Sequence, residues 1–195
     1  MSSQDRERWD EKYRDRQIPE AVVANEWLTR HVGNLPAGRA VYLACGLGHN
    51  AIWLAQQGWQ VDAVDISPTG LSLAREFAES ESAEVNFICA DLEASLLKEH
   101  PQMETAYDLV LVFRFLDREH LPALIPRLLK PGGHLIYETF SREQLERADS
   151  HIRDPNFTLQ PGELPLLYSC LPVIEYQEID LPNRSVARLF AGANR

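Results

Sequence analysis

The chain has 195 residues, 45% of them hydrophobic and 25% charged, an ordinary globular composition that excludes a disordered, collagen-like or disulfide-built protein. Lys plus Arg number 19 against 29 Asp plus Glu, and the resulting net charge of −10 argues against a general role on nucleic acid or an anionic membrane surface. Cys45, Cys89 and Cys170 form no CxxC pair and are expected as reduced, mostly buried thiols. With a polar start, MSSQDRERWD, and no stretch near the roughly 18 apolar residues of a membrane span, a soluble cytoplasmic protein is expected, one domain over 1–195.

Residues 5–16 are dense in charge and carry Trp9 and Tyr13 four apart, on one side of a predicted helix. Residues 20–32 read as an amphipathic helix through Val22, Val23, Trp27, Leu28 and Val32, with Gly33 as its stop. Together, 1–34 form an expected N-terminal cap or lid. Strands and helices then alternate. AVYLAC (40–45) is a buried strand, HNAIWLAQQ a helix ending at Gly58, and WQVDAVD (59–65) a second strand. Ser67-Pro68 starts the next helix, with Ser accepting from an orphan amide and Pro suited to the first turn. VNFICA (85–90) and YDLVLVF (107–113) are strands three and four. LPALIPRLLK predicts a helix broken or kinked near Pro126, and PGGHLIYETF a turn and a fifth strand. Finally PVIEYQEID (172–180) and RSVARLFAGA (184–193) are joined by a turn too short for a parallel crossover, so they run antiparallel. The expected fold is α/β: a doubly wound, mostly parallel seven-stranded sheet finished by an antiparallel C-terminal pair.

Three features converge at the carboxyl ends of the first three strands. The loop Ala44-Cys45-Gly46-Leu47-Gly48-His49-Asn50 combines small residues with a helix start, which lets the backbone approach a ligand and aims free amides at it. Asp65, about 20 residues on, is placed to accept from two ribose hydroxyls. Asp91 is placed to accept from an adenine amino group. The combination points to an adenosine ligand, although Asp65 and Asp91 would each also serve as a cap for the helix that follows, and the glycines as strand–helix packing.

The motif Tyr42-x-Ala44-x-Gly46-x-Gly48, the acids Asp65 and Asp91, the turn Lys130–Gly133 and the closing strand pair resemble those of the class I S-adenosylmethionine-dependent methyltransferases, over nearly the whole chain from about Trp9. LACGLGHNA, the Trp9/Tyr13 opening and RDPNFTLQPGEL (153–164) are similar to the small tellurite-resistance or thiopurine-type branch. The resemblance implies a Rossmann-like methyltransferase fold and S-adenosyl-L-methionine as cofactor. It assigns the cofactor to Ala44, Cys45, Gly46, Gly48, Asn50, Asp65, Ile66, Asp91, Leu92 and Phe113, with Trp9 and Tyr13 closing over it. Two departures stand out: Tyr42 replaces the family's leading acid, and Ala44 its first glycine. Pro165 stands where the branch has Leu, which allows only the first turn of a helix or no helix.

The implied reaction is in-line methyl transfer to a small-molecule acceptor. It depends on alignment and exclusion of water, and a soft sulfur, selenium or tellurium nucleophile needs no base. Substrate contacts are expected from Arg114, Phe115, Thr139, His151 and Arg153, with Arg114 gripping an anionic group unless it pairs with Asp117. No residue stands out as a general base. The six histidines show neither HxxxH nor HExxH spacing, so no metal is expected. The segment Phe113-Arg114-Phe115-Leu116 lacks the Asn/Asp-Pro-Pro-aromatic run of DNA amino-methylating enzymes, which argues against a DNA base as acceptor. Two alternatives remain: a non-catalytic module binding the same cofactor, which Tyr42 keeps open, and a nicotinamide-dependent oxidoreductase. The latter is disfavoured because His49-Asn50 depart from its glycine-loop pattern, although Ala51 is tolerable there, because no second catalytic region follows, and because such enzymes lack the closing reversed strand pair.

Overall fold

The computed structural model describes residues 3–92 and 96–193. Seven strands among the described residues form one sheet: β1 (Arg39–Leu43), β2 (Gln60–Asp65), β3 (Val85–Cys89), β4 (Tyr107–Phe113), β5 (Leu129–Phe140), β6 (Val173–Leu181) and β7 (Arg184–Gly192), in the order β3-β2-β1-β4-β5-β7-β6. β3, β2, β1, β4 and β5 run parallel, whereas β7 pairs antiparallel with both β5 and β6. The expected architecture is therefore observed. The order reverses between β1 and β4, and open α/β sheets hold ligands at such a switch point, outside the carboxyl ends of the strands.

The strands read as continuous apolar runs because both faces are covered. Along β1, Ala40 and Tyr42 face one layer and Val41 and Leu43 the other. The first layer packs Trp27 and Leu28 of α2 (Glu26–Val32), Ile52 and Leu54 of α3 (His49–Gln56), and Leu71, Ala74 and Phe77 of α4 (Pro68–Ser80). The second packs Leu96 of α5 (Leu96–Glu99), Leu121 and Ile125 of α6 (Leu121–Leu128), and Leu164 of α7 (Glu163–Leu167). α1 (Ser3–Arg14) lies against α4. Ser67 caps α4 as expected, accepting from the Gly70 amide at 3.0 Å, with Pro68 in the first turn. Pro165 falls in the first turn of α7, where its missing N–H costs nothing.

Four expectations need correction. The helix predicted over 20–32 begins only at Glu26: Asn25 caps it, its side chain accepting from the Trp27 amide at 2.8 Å, and the amides of Val23 and Asn25 instead donate to side chains of the β1–α3 region. α6 is not broken at Pro126 but continues to Leu128, since only two residues of the helix follow the proline. The Lys130–Gly133 turn is absorbed into β5, where the pairing with β4 shifts register between Tyr107 and Leu109. Of the thiols, only Cys45 is buried. Cys89 is exposed at the end of edge strand β3, and Cys170 in the turn after α7.

Candidate functional site

The loop from β1 to α3 turns on Gly46 (φ 55°) and Gly48 (φ 80°), both in the left-handed region. Ala44 shares that region at φ 54°, a conformation that costs a residue with a Cβ roughly 1–2 kcal/mol. Its extra methyl is thus a conformational burden as well as a steric one. The loop is stitched to β2 by Asp65, whose carboxylate accepts from the Gly46 amide at 2.8 Å and the Ser67 amide at 3.0 Å. Asp65 is 7% exposed, and burial pushes its pKa up while those amides pull it down. A carboxylate offers about four acceptor sites; the amides of Gly46, Ser67 and Ile66 engage three, which leaves one for a ligand hydroxyl resting on the loop. Asp65 is both a structural tie and an available acceptor; the two readings of it are compatible.

Around it, Ile66 and Leu92 are buried, and Asp91 is half-buried just past β3. Cys45 is buried beneath the loop, its thiol pushed up by burial and then by the charge of Asp65. The β1–β2–β3 tips therefore bring together a bare backbone turn, two acids and apolar walls. That set suits a nucleoside: acceptors for sugar and base, and greasy surfaces for a ring.

α1 closes this crevice from one side. The Asp10 carboxylate accepts from the Ser67 hydroxyl at 2.5 Å and the Thr69 amide at 3.1 Å, at the start of α4. Trp9 and Tyr13 stack with centroids 5.9 Å apart. Tyr13 packs over the loop: a Cβ on Gly46 would stand 2.9 Å from its hydroxyl, and one on Gly70 2.8 Å from its ring. Burial, followed by the Asp65 charge, raises the Tyr13 phenol well above its ordinary range. Tyr13 thus lies on the loop and α4 rather than on the sheet, with Trp9 stacked against it.

A second cluster sits over β4, β5 and β7. Tyr42 is buried, edge-on to Phe113 at 5.9 Å, and its hydroxyl accepts from the Asn50 amide at 3.3 Å. Burial drives its phenol far upward. Asn50 in turn accepts from the Asn25 amide at 2.8 Å, and the Asn25 side chain donates to Glu138 at 2.8 Å. Glu138 is fully buried and also accepts from Arg184 at 3.1 Å and Arg188 at 2.7 Å; Arg188 reaches on to Glu26 at 2.5 Å. The position of the missing leading acid is thus occupied by a phenol hydrogen-bonded toward a carboxylate two strands away. His49 accepts from the Val23 amide on Nδ1 at 3.3 Å, leaving the neutral ring's proton on Nε2, and burial and then Arg114 hold its pKa below the ordinary value.

Arg114 follows β4 with φ 56°, its amide bonded to the Glu138 carbonyl at 2.9 Å, its side chain exposed. It does not pair with Asp117, which accepts instead from the amides of Glu119, His120 and Leu121 and from the His120 ring. Phe115 packs against the core of the second layer, and its carbonyl accepts from Tyr137 at 2.9 Å. Thr139 is buried and, by strand alternation, faces away from Glu138. His151 is exposed with its ring edge-on to Phe140 at 6.3 Å, and exposed Arg153 donates to the Ile152 carbonyl. The structure gathers Tyr42, His49, Asn50, Phe113 and Arg114; it does not bring Phe115 or Thr139 to their side.

Arg118, Asn25, Glu138, Arg184 and Arg188 were not singled out by pattern. Arg118 grips both oxygens of Glu163, at 2.5 and 3.1 Å, and the carbonyls of Asn156 and Thr158, pinning segment 156–163 to the loop after β4. Glu138 carried one signal: an acid inside an apolar run, which burial demands be paired. A cleft of about 490 Å³ lined by Gly38, Arg39, Asp108 and Lys130 lies at the opposite, amino end of the strands, where Asp108 is already bonded to Lys130 and the Arg39 amide.

Residues 40–133 match the methyltransferase-domain family. The probable S-adenosyl-L-methionine-dependent methyltransferase TehB of Haemophilus influenzae is 26% identical over 143 residues, 70% of this chain and 46% of that one. Its crystal structure superposes with a TM-score of 0.69, at 20% identity, over 97% of this chain and 67% of the other. Hemagglutinin 1 of Eikenella corrodens is 29% identical over 143 residues, 70% of this chain and 44% of that one. A structure determined for the conversion of a disulfide bond into a thioacetal group during echinomycin biosynthesis superposes with a TM-score of 0.77, at 18% identity, over 97% of this chain and 91% of the other. The chain spans about half the length of the curated relatives it matches.

Proposed function

We propose that this chain, whose residues 40–133 match the methyltransferase-domain family, is a class I S-adenosylmethionine-dependent methyltransferase that transfers the methyl group to a small-molecule acceptor with a soft sulfur, selenium or tellurium nucleophile. The observation that carries the cofactor reading is the Gly46–Asp65 tie at the β1/β2 tips, which leaves acceptor capacity directly beside a bare turn. Bound there, S-adenosylmethionine supplies a methyl group on a sulfonium that departs as a neutral thioether, without help from an acid. Asp65 would hold the ribose, Asp91 the adenine edge, and Ile66 and Leu92 the ring faces. Ala44, Cys45, Gly46, Gly48 and Asn50 would frame the amino-acid end, with Phe113 beside it and Trp9 and Tyr13 excluding water.

The soft-nucleophile reading rests on what surrounds Arg114. Tyr42 is a phenol pushed upward, the Nδ1 lone pair of His49 is engaged, and the Glu138 carboxylate is committed to Asn25, Arg184 and Arg188. Among the described residues of that cluster, none is free to take a proton, so the acceptor must arrive with its lone pair ready. The relatives' names support methyl transfer and leave the acceptor open.

Calorimetry with S-adenosylmethionine, S-adenosylhomocysteine and NAD tests the cofactor. Asp65→Ala is expected to weaken nucleoside binding by about 1–3 kcal/mol, the cost of leaving hydroxyls unpaired. Unchanged affinity refutes the ribose role; binding of NAD alone refutes the reading altogether. Binding without turnover on thiols, selenite and tellurite would favour the non-catalytic module.

A further inference from the structure

We propose that Arg114 is the specificity determinant for an anionic acceptor, one carrying a carboxylate or oxyanion next to its nucleophilic atom. This rests on the cofactor reading above and names the substrate class for the same site. Four non-glycine residues among those described have positive φ: Ala44, Ser82, Thr105 and Arg114. Ser82 and Thr105 lie in loops leading into β3 and β4, at the amino ends of the strands. Ala44 and Arg114 stand together at the carboxyl ends of β1 and β4, which are paired neighbours. Backbone strain held at a ligand-binding edge is retained where it aims a side chain.

What Arg114 aims is a guanidinium exposed to solvent and, among the described residues, given no carboxylate partner within ion-pair distance. Other exposed arginines also lack a carboxylate partner, but Arg114 is the one placed beside Tyr42 and His49 at the carboxyl ends of the strands. The nearest candidate, Asp117, is turned away to cap α6. The carboxylate under its own backbone, Glu138, is already met by Arg184 and Arg188. Arg114 is therefore a solvent-exposed cation close enough to Tyr42 and His49 to act on both and open to an incoming anion, and its planar fork suits a carboxylate or oxyanion. The transfer itself moves no protein proton: a thiol acceptor would react as its thiolate, its proton already given to solvent, and selenite through its lone pair, so that this pair forms the new bond to the methyl carbon while the pair of the broken bond stays on the departing sulfur.

The test uses the full chain loaded with S-adenosylhomocysteine, whose binding is measured first. Failure of that binding overturns the cofactor reading itself, and the inference with it. On the loaded protein, binding of mercaptoacetate and 2-mercaptobenzoate is compared with that of their amides, and selenite serves as the free oxyanion. The anion of at least one pair, or selenite, is expected to bind, with any anion beating its amide by about tenfold or more, the range for a charge-assisted hydrogen bond. Arg114→Gln should erase that advantage, and weaken selenite comparably, while leaving nucleoside affinity within about twofold; Arg114→Lys should keep part of it. Equal binding of anion and amide, no binding of any probe up to the order of 10 mM, or an Arg114→Gln effect on nucleoside and anion alike would overturn the inference while leaving the cofactor reading standing. Preference for carboxylates over selenite identifies an organic acid as the source of the charge, and the reverse a chalcogen oxyanion.

Discussion

Replacing Glu138 by glutamine removes the buried anion shared by Arg184 and Arg188 and leaves Arg188 with only the exposed Glu26. Glu138 is fully buried, and the side chains of Arg188 and Arg184 are only 5% and 13% exposed, so neither cation can be rehydrated without moving β7 or the cap of α2. Breaking a buried ion pair from one side costs about 3–5 kcal/mol, because a desolvated charge is left behind. Against a total stability on the order of 5–15 kcal/mol, that is a large share, and it corresponds to a melting-temperature loss of roughly 6–20 °C for a chain of this size. Urea unfolding followed by tryptophan fluorescence reads it directly, since buried Trp27 lies under the Arg188 guanidinium at 5.5 Å. The paired change Glu138→Leu with Arg188→Met should lose less than Glu138→Gln alone, because it leaves one guanidinium, Arg184, without this carboxylate instead of two. A Glu138→Gln loss below about 1 kcal/mol, or a double variant worse than the single, would refute the view that this carboxylate is a desolvated counter-ion.

Three further perturbations probe the loop and its cap. Ala44→Gly should raise unfolding stability by about 0.5–1 kcal/mol, the relief of left-handed strain less the added chain entropy of glycine; a loss would mean the Ala44 methyl packs usefully. Gly70→Ala should leave global unfolding nearly unchanged, yet expose Arg14 and Arg16 to trypsin, because the new Cβ would stand 2.8 Å from the Tyr13 ring; an unaltered digestion pattern would contradict the docking of α1. His31, His49 and His134 are each held below the ordinary imidazole value of 6.5 by burial, with Arg114 adding to the effect on His49. The unfolded chain then takes up protons that the native state refuses, so these groups make stability fall as pH drops through about 6.5, by at most about 1.4 kcal/mol per pH unit for each histidine. Denaturation midpoints measured across that window check the sign, and His31→Phe should flatten the slope.

Alternation of apolar strands with helices is written into the chain itself. The order of elements, the reversed C-terminal pair, the Ser67 cap and the glycine turn at Gly46–Gly48 were all legible locally, because each depends on periodicity or on a residue's own backbone preference. Asp65 and Asp91 could be put at strand ends by counting, since strand ends in a parallel sheet share one edge. What Asp65 does there was not legible: its tie to the Gly46 amide joins residues 19 apart in sequence, and only packing of β1 against β2 makes it. The same holds for the fate of Arg114, which depends on Asp117 choosing three backbone amides over a guanidinium. Residues 20–25 looked helical by spacing, but their amides found Asn50 and His49, partners that no local pattern contains. Sequence thus determined the scaffold and the strand ends at which a ligand is proposed to rest. Tertiary structure decided which charges cancel and that Arg114 and Asp117 do not meet, because pairing of ions is settled by distance in space and not by spacing along the chain.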